Sequence, residues 1–350
     1  MAPTTQNQWT STNTEGGFEK ALQLDTHAAV PEVGDNDVLV KFRAVSLNYR
    51  DIAMPLGKYP FPYRDGVVPC SDGAGVVEAI GSKVHRFKPG DRVMTVFHQG
   101  HIAGHLNPSY FQANLGGDRD GALREYGAFD QQDLVSMPRN LSFLEASTLT
   151  CAGVTAWNCL YGLQGRRLMP GDWVLTQGTG GVSIFALQLA KAAGARVIAT
   201  TSSAAKAEKL KALGADHVID YTGDTNWGET AKKLTGGEGI SNVIEVGGAG
   251  TLKNSLAAVK FEGLISLVGF LSGSETKTPP SLSEALSSFC IARGVGVGSR
   301  QLFEDLTCAI EANDIHPVVD KEVFKFDKAR DAFQYLSEQK HVGKVCVKID

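Results

Sequence analysis

The chain has 350 residues, 43% of them hydrophobic and 21% charged, with a formal net charge of −4. That length accommodates two cores, and the charge offers no basic footprint for nucleic acid. No apolar run approaches the roughly 18 residues of a membrane span, so neither nucleic acid nor membrane is expected as a partner.

Residues 1–17 read as a polar N-terminal tail, rich in Thr, Gln and Asn and without the apolar stretch of a secretory signal. From about Gly17 to Pro138 the pattern is mostly β. Strands are expected over Val38–Val45, Gly73–Gly81 and Arg92–Val96, the last following a Lys88-Pro89-Gly90-Asp91 turn. From about Ala152 strands alternate with helices. Trp173–Thr176 is a short apolar strand that runs into Gly178-Thr179-Gly180-Gly181. Val182, Phe185, Ala186, Leu189, Ala190 and Ala193 then repeat at helical spacing until Gly194. Further strands are expected at Val197–Thr200, Val218–Ile219, Val243–Val246 and Leu264–Val268, with helices between them, which indicates βαβ units and a parallel sheet. Two amphipathic helices (Leu302–Ala312 and Ala329–Leu336) and a strand at Val345–Lys348 complete the chain. The expected division is one domain from 18–151 and 299–350, with a Rossmann domain from 152–298 inserted in it.

Six cysteines (Cys70, Cys151, Cys159, Cys290, Cys308, Cys346) are scattered without a CxxC pair, the pattern of reduced thiols. A cytoplasmic location is the corresponding expectation.

The chemistry starts at the glycine-rich turn. Gly178, Thr179, Gly180, Gly181, Val182 and Ser183 lie where a strand meets a helix inside a βαβ unit. In that context glycines let the backbone approach a pyrophosphate, and the helix N-terminus offers free N–H groups. Ser183 replaces the usual third glycine or alanine with another small residue. The choice of cofactor rests on the second strand. A site for NAD places Asp or Glu about 20 residues on, to bind the ribose 2′-hydroxyl. Here no acid lies between Ile184 and Ala207; the strand ends in Thr200-Thr201-Ser202-Ser203, with Lys206 one turn later and Tyr221 after the third strand. Hydroxyls and an ammonium suit a 2′-phosphate, which a carboxylate would repel. NADPH is therefore the expected cofactor.

Seven segments in order make the chain resemble the zinc-free, quinone oxidoreductase-like branch of the medium-chain dehydrogenase/reductase superfamily. They are Ala44-Val45-Ser46-Leu47-Asn48-Tyr49-Arg50-Asp51, Ser71-Asp72-Gly73-Ala74-Gly75, Lys88-Pro89-Gly90-Asp91-Arg92-Val93, Gly153-Val154-Thr155-Ala156-Trp157, Gly178-Thr179-Gly180-Gly181-Val182-Ser183, Leu213-Gly214-Ala215-Asp216 and Gly343-Lys344-Val345. The resemblance implies an α/β protein, with a Rossmann doubly wound parallel sheet inserted in a mostly-β GroES-like catalytic domain. Zinc-dependent members of that superfamily hold a catalytic metal where this chain has Asn48, Ser71-Asp72 and Cys151. One thiol cannot replace three ligands, so no metal is expected. The region 97–126 lacks the four cysteines of a structural zinc lobe. It carries His98, His101 and His105 instead, read here as polar, exposed residues of an irregular loop.

The resemblance also places Asn48 beside the nicotinamide, as the first candidate for a catalytic donor. Tyr49, Tyr110 and Tyr126 are further candidates for a proton donor. Thr155 and Lys344 fall in matching motifs as cofactor contacts, and Val246, Gly247, Gly269, Phe270 and Leu271 fall at the nicotinamide half. Phe97, Tyr110, Tyr126 and Phe270 are candidate walls of a substrate pocket. The activity implied is hydride transfer to an activated alkene or quinone. Two alternatives remain open: carbonyl/alcohol interconversion, and a non-enzymatic dinucleotide-binding protein. A homodimer is expected through the apolar, glycine-rich segment Cys290–Val297, because dimeric relatives join their sheets there and an open edge is a liability in a monomer.

Overall fold

In this computed structural model residues 3–12, 16–271, 281 and 283–350 are described. The chain divides into two compact units: Met1–Val154 with Gly298–Asp350, and Thr155–Val297 between them in sequence. The boundaries expected from the sequence were 151/152 and 298/299.

The first unit begins with a departure from expectation. The polar tail is partly a strand: β1 (Thr5–Ser11) pairs antiparallel with β2 (Leu22–Ala29). Its anchor is Trp9, 2% exposed, whose indole N–H donates to the Phe326 carbonyl (2.9 Å) and whose backbone N–H donates to Leu123 O (3.0 Å). The Arg330 guanidinium covers the ring at 5.2 Å. The polar composition of the segment concealed this, since one large ring supplies most of the burial.

β3 (Asp37–Ser46) is the centre of the unit. Val38, Val40 and Phe42 alternate inward in strand period and join Val77, Phe129, Phe333 and Val345 in one core. Around it lie β4 (Asp72–Ile80), β5 (Arg92–Thr95), β6 (Tyr126–Asp130) and β7 (Leu134–Ser136).

The second unit is the expected doubly wound sheet. β8 (Trp173–Gln177), β9 (Arg196–Thr201), β10 (His217–Asp220), β11 (Ile240–Glu245), β12 (Val259–Leu267) and β13 (Ile291–Gly294) are all parallel, in the order β10-β9-β8-β11-β12-β13. The winding reverses between β8 and β11. In such sheets ligands bind outside the carboxyl ends of the strands at that reversal. The helix Gly181–Ala192 packs on β8 and β9; Phe185, Ala186, Leu189 and Ala190 of the expected face are buried, Ile184 and Leu187 are buried beside them, and Val182 and Ala193 stay partly exposed.

β14 (Val319–Lys325) and β15 (Lys344–Lys348) return to the first unit, giving the order β14-β15-β3-β4-β5-β7 with β6 also on β3. The antiparallel register of β15 on β3 pairs Cys346 with Ser46 and Val347 with Val45. Continued by two residues, it brings Lys344 level with Asn48, although 296 positions separate them. All six cysteines are free thiols. Among the described residues no helix is long and apolar enough to cross a membrane.

If β1 belongs to the core, Trp9→Ala should destabilise the protein by roughly 3–5 kcal/mol, the usual loss for a large buried aromatic. Urea unfolding measures this, and an unchanged midpoint would restore the reading of a tail.

Candidate functional site

A buried polar cluster of the first unit is built where the ends of β15, β3 and β4 meet. Asp72 is wholly buried and Lys344 is 3% exposed. The Lys344 ammonium donates to Leu47 O (2.7 Å), to Asn48 Oδ1 (2.5 Å) and to Asp72 Oδ2 (3.3 Å). An ammonium has three N–H donors, and all three are engaged within this unit. Lys344 was expected to contact the cofactor directly; its donors are directed at its own unit instead. Asp72 is satisfied in turn. Ser71 Oγ donates to its Oδ1 (2.6 Å), and Ser46 Oγ lies 3.1 Å from its Oδ2. Thr95 Oγ1 fixes the same turn by donating to Ser71 O (2.7 Å) and accepting from Gly73 N (3.0 Å).

Asn48 caps the short helix Tyr49–Ala53, and its own N–H donates to Asp51 Oδ2 (2.7 Å). Burial pushes the Asp51 carboxyl up to about 6, against the pull of the neighbouring Arg50. A lysine can only donate, so the side-chain atom of Asn48 that faces Lys344 is the carbonyl oxygen. Its Nδ2 is buried and meets no acceptor among the described residues.

The donor set at the expected metal positions does not fit zinc. Asn48 Oδ1 is held by Lys344, Ser71 donates to Asp72, and Asp72 is paired with Lys344. The remaining thiol, Cys151, is pushed up to about 12 by desolvation, whereas a metal requires the thiolate. Among the described residues no group of three or more His, Cys, Asp or Glu side chains could hold a metal ion.

Two residues beyond Asn48, Arg50 is set among aromatic rings. The Arg50 guanidinium lies 4.7 Å over the Phe97 ring and 5.8 Å from Tyr59, and Gly117 leaves the space that its Nη2 occupies. Tyr59 contacts Phe61 (5.5 Å), and Phe61 contacts Phe111 (5.4 Å). Phe97, a candidate pocket wall, is buried against Arg50 and His98; Tyr59 and Phe61 were not among the candidates. The signal for Tyr59 and Phe61 was the aromatic run Tyr59-Pro60-Phe61-Pro62-Tyr63, and Arg50 stood in the Ala44–Asp51 segment.

The histidines also need correction. His98 and His101 are buried, at 1% and 3% exposure; only His105 lies on the surface. His101 stacks on Tyr110 (4.9 Å) and its Nε2 lies 3.1 Å from Gly104 O, while His98 packs on Phe97 (4.8 Å). Burial lowers the pKa of His101, which keeps the ring neutral. The loop is further held by Asp133, whose Oδ1 accepts the Gly100 N–H (2.5 Å).

Of the tyrosines, Tyr49 packs half-buried against the core. Tyr126 pairs with Lys41 in the β3 register. Seven residues then separate it from Asn48, roughly 20 Å along an extended strand. It is not brought to the cluster, so it fits neither the proton-donor nor the pocket role there. Tyr110 stacks on His101.

In the second unit, the turn after β8 has the form a pyrophosphate needs. Gly178 takes a left-handed φ of +74°, and its N–H donates to Thr200 O (2.8 Å). A Cβ on Gly178 or Gly180 would meet nothing within 4 Å, so open space lies over the turn. The first helical bond runs from Ile184 N to Gly180 O, leaving the N–H groups of Gly181, Val182 and Ser183 without intrahelical acceptors. Ser183 Oγ donates to Gln177 O (2.6 Å), so this side chain fastens helix to strand and only its backbone faces the turn. The residues therefore fit a dinucleotide. Thr179 and Thr155 are buried beside Gly180 and at the start of the helix Val154–Tyr161, respectively.

Ser202, Ser203, Lys206 and Tyr221 gather at the adjoining ends of β9 and β10, where Tyr221 N donates to Thr201 O (3.1 Å). Ser203 Oγ caps the next helix by accepting Lys206 N (3.4 Å), Ser202 is exposed and Lys206 is half-buried. The acid at the end of β10, Asp220, is engaged with Thr222 (2.6 Å to its hydroxyl). On the other side of the reversal, the loop of Val246 and Gly247 packs against that of Gly269, Phe270 and Leu271; Leu271 N donates to Val246 O (3.3 Å). Both loops rest on Glu245, a wholly buried acid that sequence reasoning missed. It accepts from Gly247 N (2.9 Å), Gly248 N (2.8 Å), Thr251 Oγ1 (2.5 Å), Ser255 Oγ (2.5 Å) and Gln177 Nε2 (2.8 Å).

Comparison with known proteins gives a consistent pattern. Residues 34–139 match the family model described as an alcohol dehydrogenase GroES-like domain, and residues 181–312 match that of a zinc-binding dehydrogenase. The chain is 45% identical over 337 residues to a zinc-type alcohol dehydrogenase-like protein of Schizosaccharomyces pombe, covering 95% of this chain and 96% of that one. It is 33% identical over 354 residues to a 2-methylene-furan-3-one reductase of Solanum lycopersicum, covering 99% and 79%. The crystal structure of a quinone oxidoreductase from Pseudomonas syringae pv. Tomato DC3000 superposes with a TM-score of 0.80 at 28% identity, covering 98% of this chain and 100% of that one.

Proposed function

The chain belongs to the medium-chain dehydrogenase/reductase superfamily, in its quinone oxidoreductase-like branch, and from that membership we propose that it is a zinc-independent, NADPH-dependent reductase of activated alkenes and quinones. As a member it is an oxidoreductase with a nicotinamide cofactor, which sets aside a purely structural dinucleotide-binding role.

The observation that carries the reading is the Lys344–Asp72–Asn48 network at the positions where zinc-dependent members bind metal. A simple ketone concentrates charge on one oxygen as it is reduced, and a Lewis acid would meet that charge. A conjugated acceptor spreads the charge, so one amide donor is of more use to it. NADPH, when bound, supplies the hydride. The chain's own contributions are binding, orientation and charge stabilisation. The Gly178–Ser183 turn holds the pyrophosphate through backbone N–H groups, and Ser202, Ser203, Lys206 and Tyr221 receive the 2′-phosphate. The Glu245 network keeps the Val246–Gly247 and Gly269–Leu271 loops in place for the nicotinamide half. Asn48 Nδ2 is the donor to the acceptor's oxygen, and Phe97, together with Tyr59 and Phe61, supplies an apolar wall. The Solanum relative, named as a reductase of a methylene-furanone, has the matching substrate chemistry. Carbonyl reduction is the second reading, favoured by the name of the Schizosaccharomyces relative.

Steady-state kinetics test the proposal with both cofactors over an enone, a quinone and an unconjugated ketone. NADPH with the enone and quinone should give the highest kcat/KM. Lys206→Ala should weaken NADPH by about 1.5–3 kcal/mol, the worth of a charge-assisted hydrogen bond, and leave NADH nearly unchanged. Equal use of the two cofactors would remove the 2′-phosphate assignment, and ketone reduction with enones inert would favour the second reading.

We also propose a homodimer joined at the β13 edge. β13 pairs only with β12 among the described strands, and Phe261, Leu286 and Phe289 stand 67%, 72% and 61% exposed nearby in the same unit. Sedimentation at micromolar concentration should give twice the chain mass; a monomer would contradict the proposal.

A further inference from the structure

Lys344 has no donor to give to a ligand, and its shortest contact is the side-chain oxygen of Asn48. That contact does two things to the amide. It fixes the flip, because only Oδ1 can face an ammonium, so Nδ2 must point the other way. It also draws electron density toward Oδ1, which strengthens the Nδ2–H as a donor, since hydrogen bonds in a chain polarise one another. Burial strengthens this further, because Lys344 and Asp72 are withdrawn from solvent at 4% and 0% side-chain exposure. At the far end of the chain of groups stands a buried Nδ2 with no acceptor among the described residues. Such an atom carries a desolvation cost until an acceptor arrives.

We infer that Lys344 is a positioning residue, which aims and polarises the Asn48 amide through Oδ1 so that Nδ2 is presented to the oxygen of the substrate. The relay runs from the ammonium N–H to the amide oxygen, through the amide, and from Nδ2–H to the acceptor. No proton moves along it and no bond is made or broken. Asp72 balances the buried charge and keeps the ammonium in place, with Ser46 and Ser71 holding the carboxylate. This inference rests on the donor role of Asn48 proposed above.

The test is a double-mutant cycle read in kcat, in NADPH affinity by fluorescence titration and in thermal unfolding. Lys344→Met should lower kcat about tenfold or more, as loss of an oriented donor does, with NADPH affinity within about threefold of the unmutated protein. Lys344→Met together with Asn48→Ala should be no slower than Asn48→Ala alone, because both remove one relay. Lys344→Arg, which keeps a charged donor, should recover much of the rate. Should Lys344→Met unfold by leaving Asp72 unpaired, Lys344→Met with Asp72→Asn removes both charges and is expected to show the same kcat loss. A tenfold loss of NADPH affinity at unchanged kcat would make Lys344 a cofactor ligand and overturn the inference. Rate losses that multiply in the double variant would also overturn it. If Asn48→Ala alone left kcat unchanged, the donor reading beneath the inference would fail; an impaired Asn48→Ala beside an unimpaired Lys344→Met would overturn the relay alone.

Discussion

A lysine and an aspartate buried against each other hold three strand ends of the first unit together. Taking two charges out of water costs several kcal/mol per ion, and their attraction offsets this only where further hydrogen bonds complete both groups. Lys344 and Asp72 meet that condition through Leu47 O, Asn48, Ser46 and Ser71. The consequence is geometric. The first residue of β15, the first of β4 and the segment just beyond β3 are held at one point, and Asn48 is fixed there with one amide face occupied. At Asn48 and Asp72, two of the positions that the resemblance aligns with zinc ligands, the side chains are a hydrogen-bonded amide and one half of an ion pair.

The second unit applies the same logic with one charge. Glu245 sits wholly buried at the end of β11, next to the reversal of the sheet, and five donors converge on it. Gln177 at the end of β8 joins it, donating through Nε2 and accepting Val246 N and Gly247 N through Oε1 (3.1 Å each). The two strands that flank the ligand-binding reversal are therefore cross-tied by side chains beneath it. A carboxylate that receives two consecutive backbone N–H groups holds its loop in one conformation, and that is the property a pre-organised site requires. The loop's partner across the unit, Gly269–Leu271, then takes its position from Val246 O.

Much of this is legible in the amino-acid sequence, and the boundary of legibility has a physical cause. The parallel sheet, the glycine-rich turn and the helix from Gly181 were readable because their signals are local: apolar spacing, a strand-to-turn junction, a closing glycine. Trp9 was not, since a polar heptapeptide buries itself through one ring whose partners lie at Leu123 and Phe326. The residue type and glycine-rich surroundings of His98 and His101 suggest solvent; they are instead packed on Phe97, Phe111 and Tyr110. Tyr126 was a reasonable donor by type, but only the β3 register shows how far from Asn48 it lies. The partnership of Lys344 with Asn48 was hidden by 296 residues of separation, even though both positions stood in recognisable motifs. Motifs marked the candidate positions, and long-range pairing decided which partners each side chain has.

The central claim is that the acceptor is a conjugated carbon–carbon bond. Isotope transfer measures this most directly: NADPH carrying deuterium at the transferable position of its nicotinamide is turned over with an enone, and the product is examined by NMR. Deuterium on the carbon β to the carbonyl, with the carbonyl intact, is the predicted result. Deuterium on the former carbonyl carbon, as an allylic alcohol, would contradict the account and make the protein a carbonyl reductase.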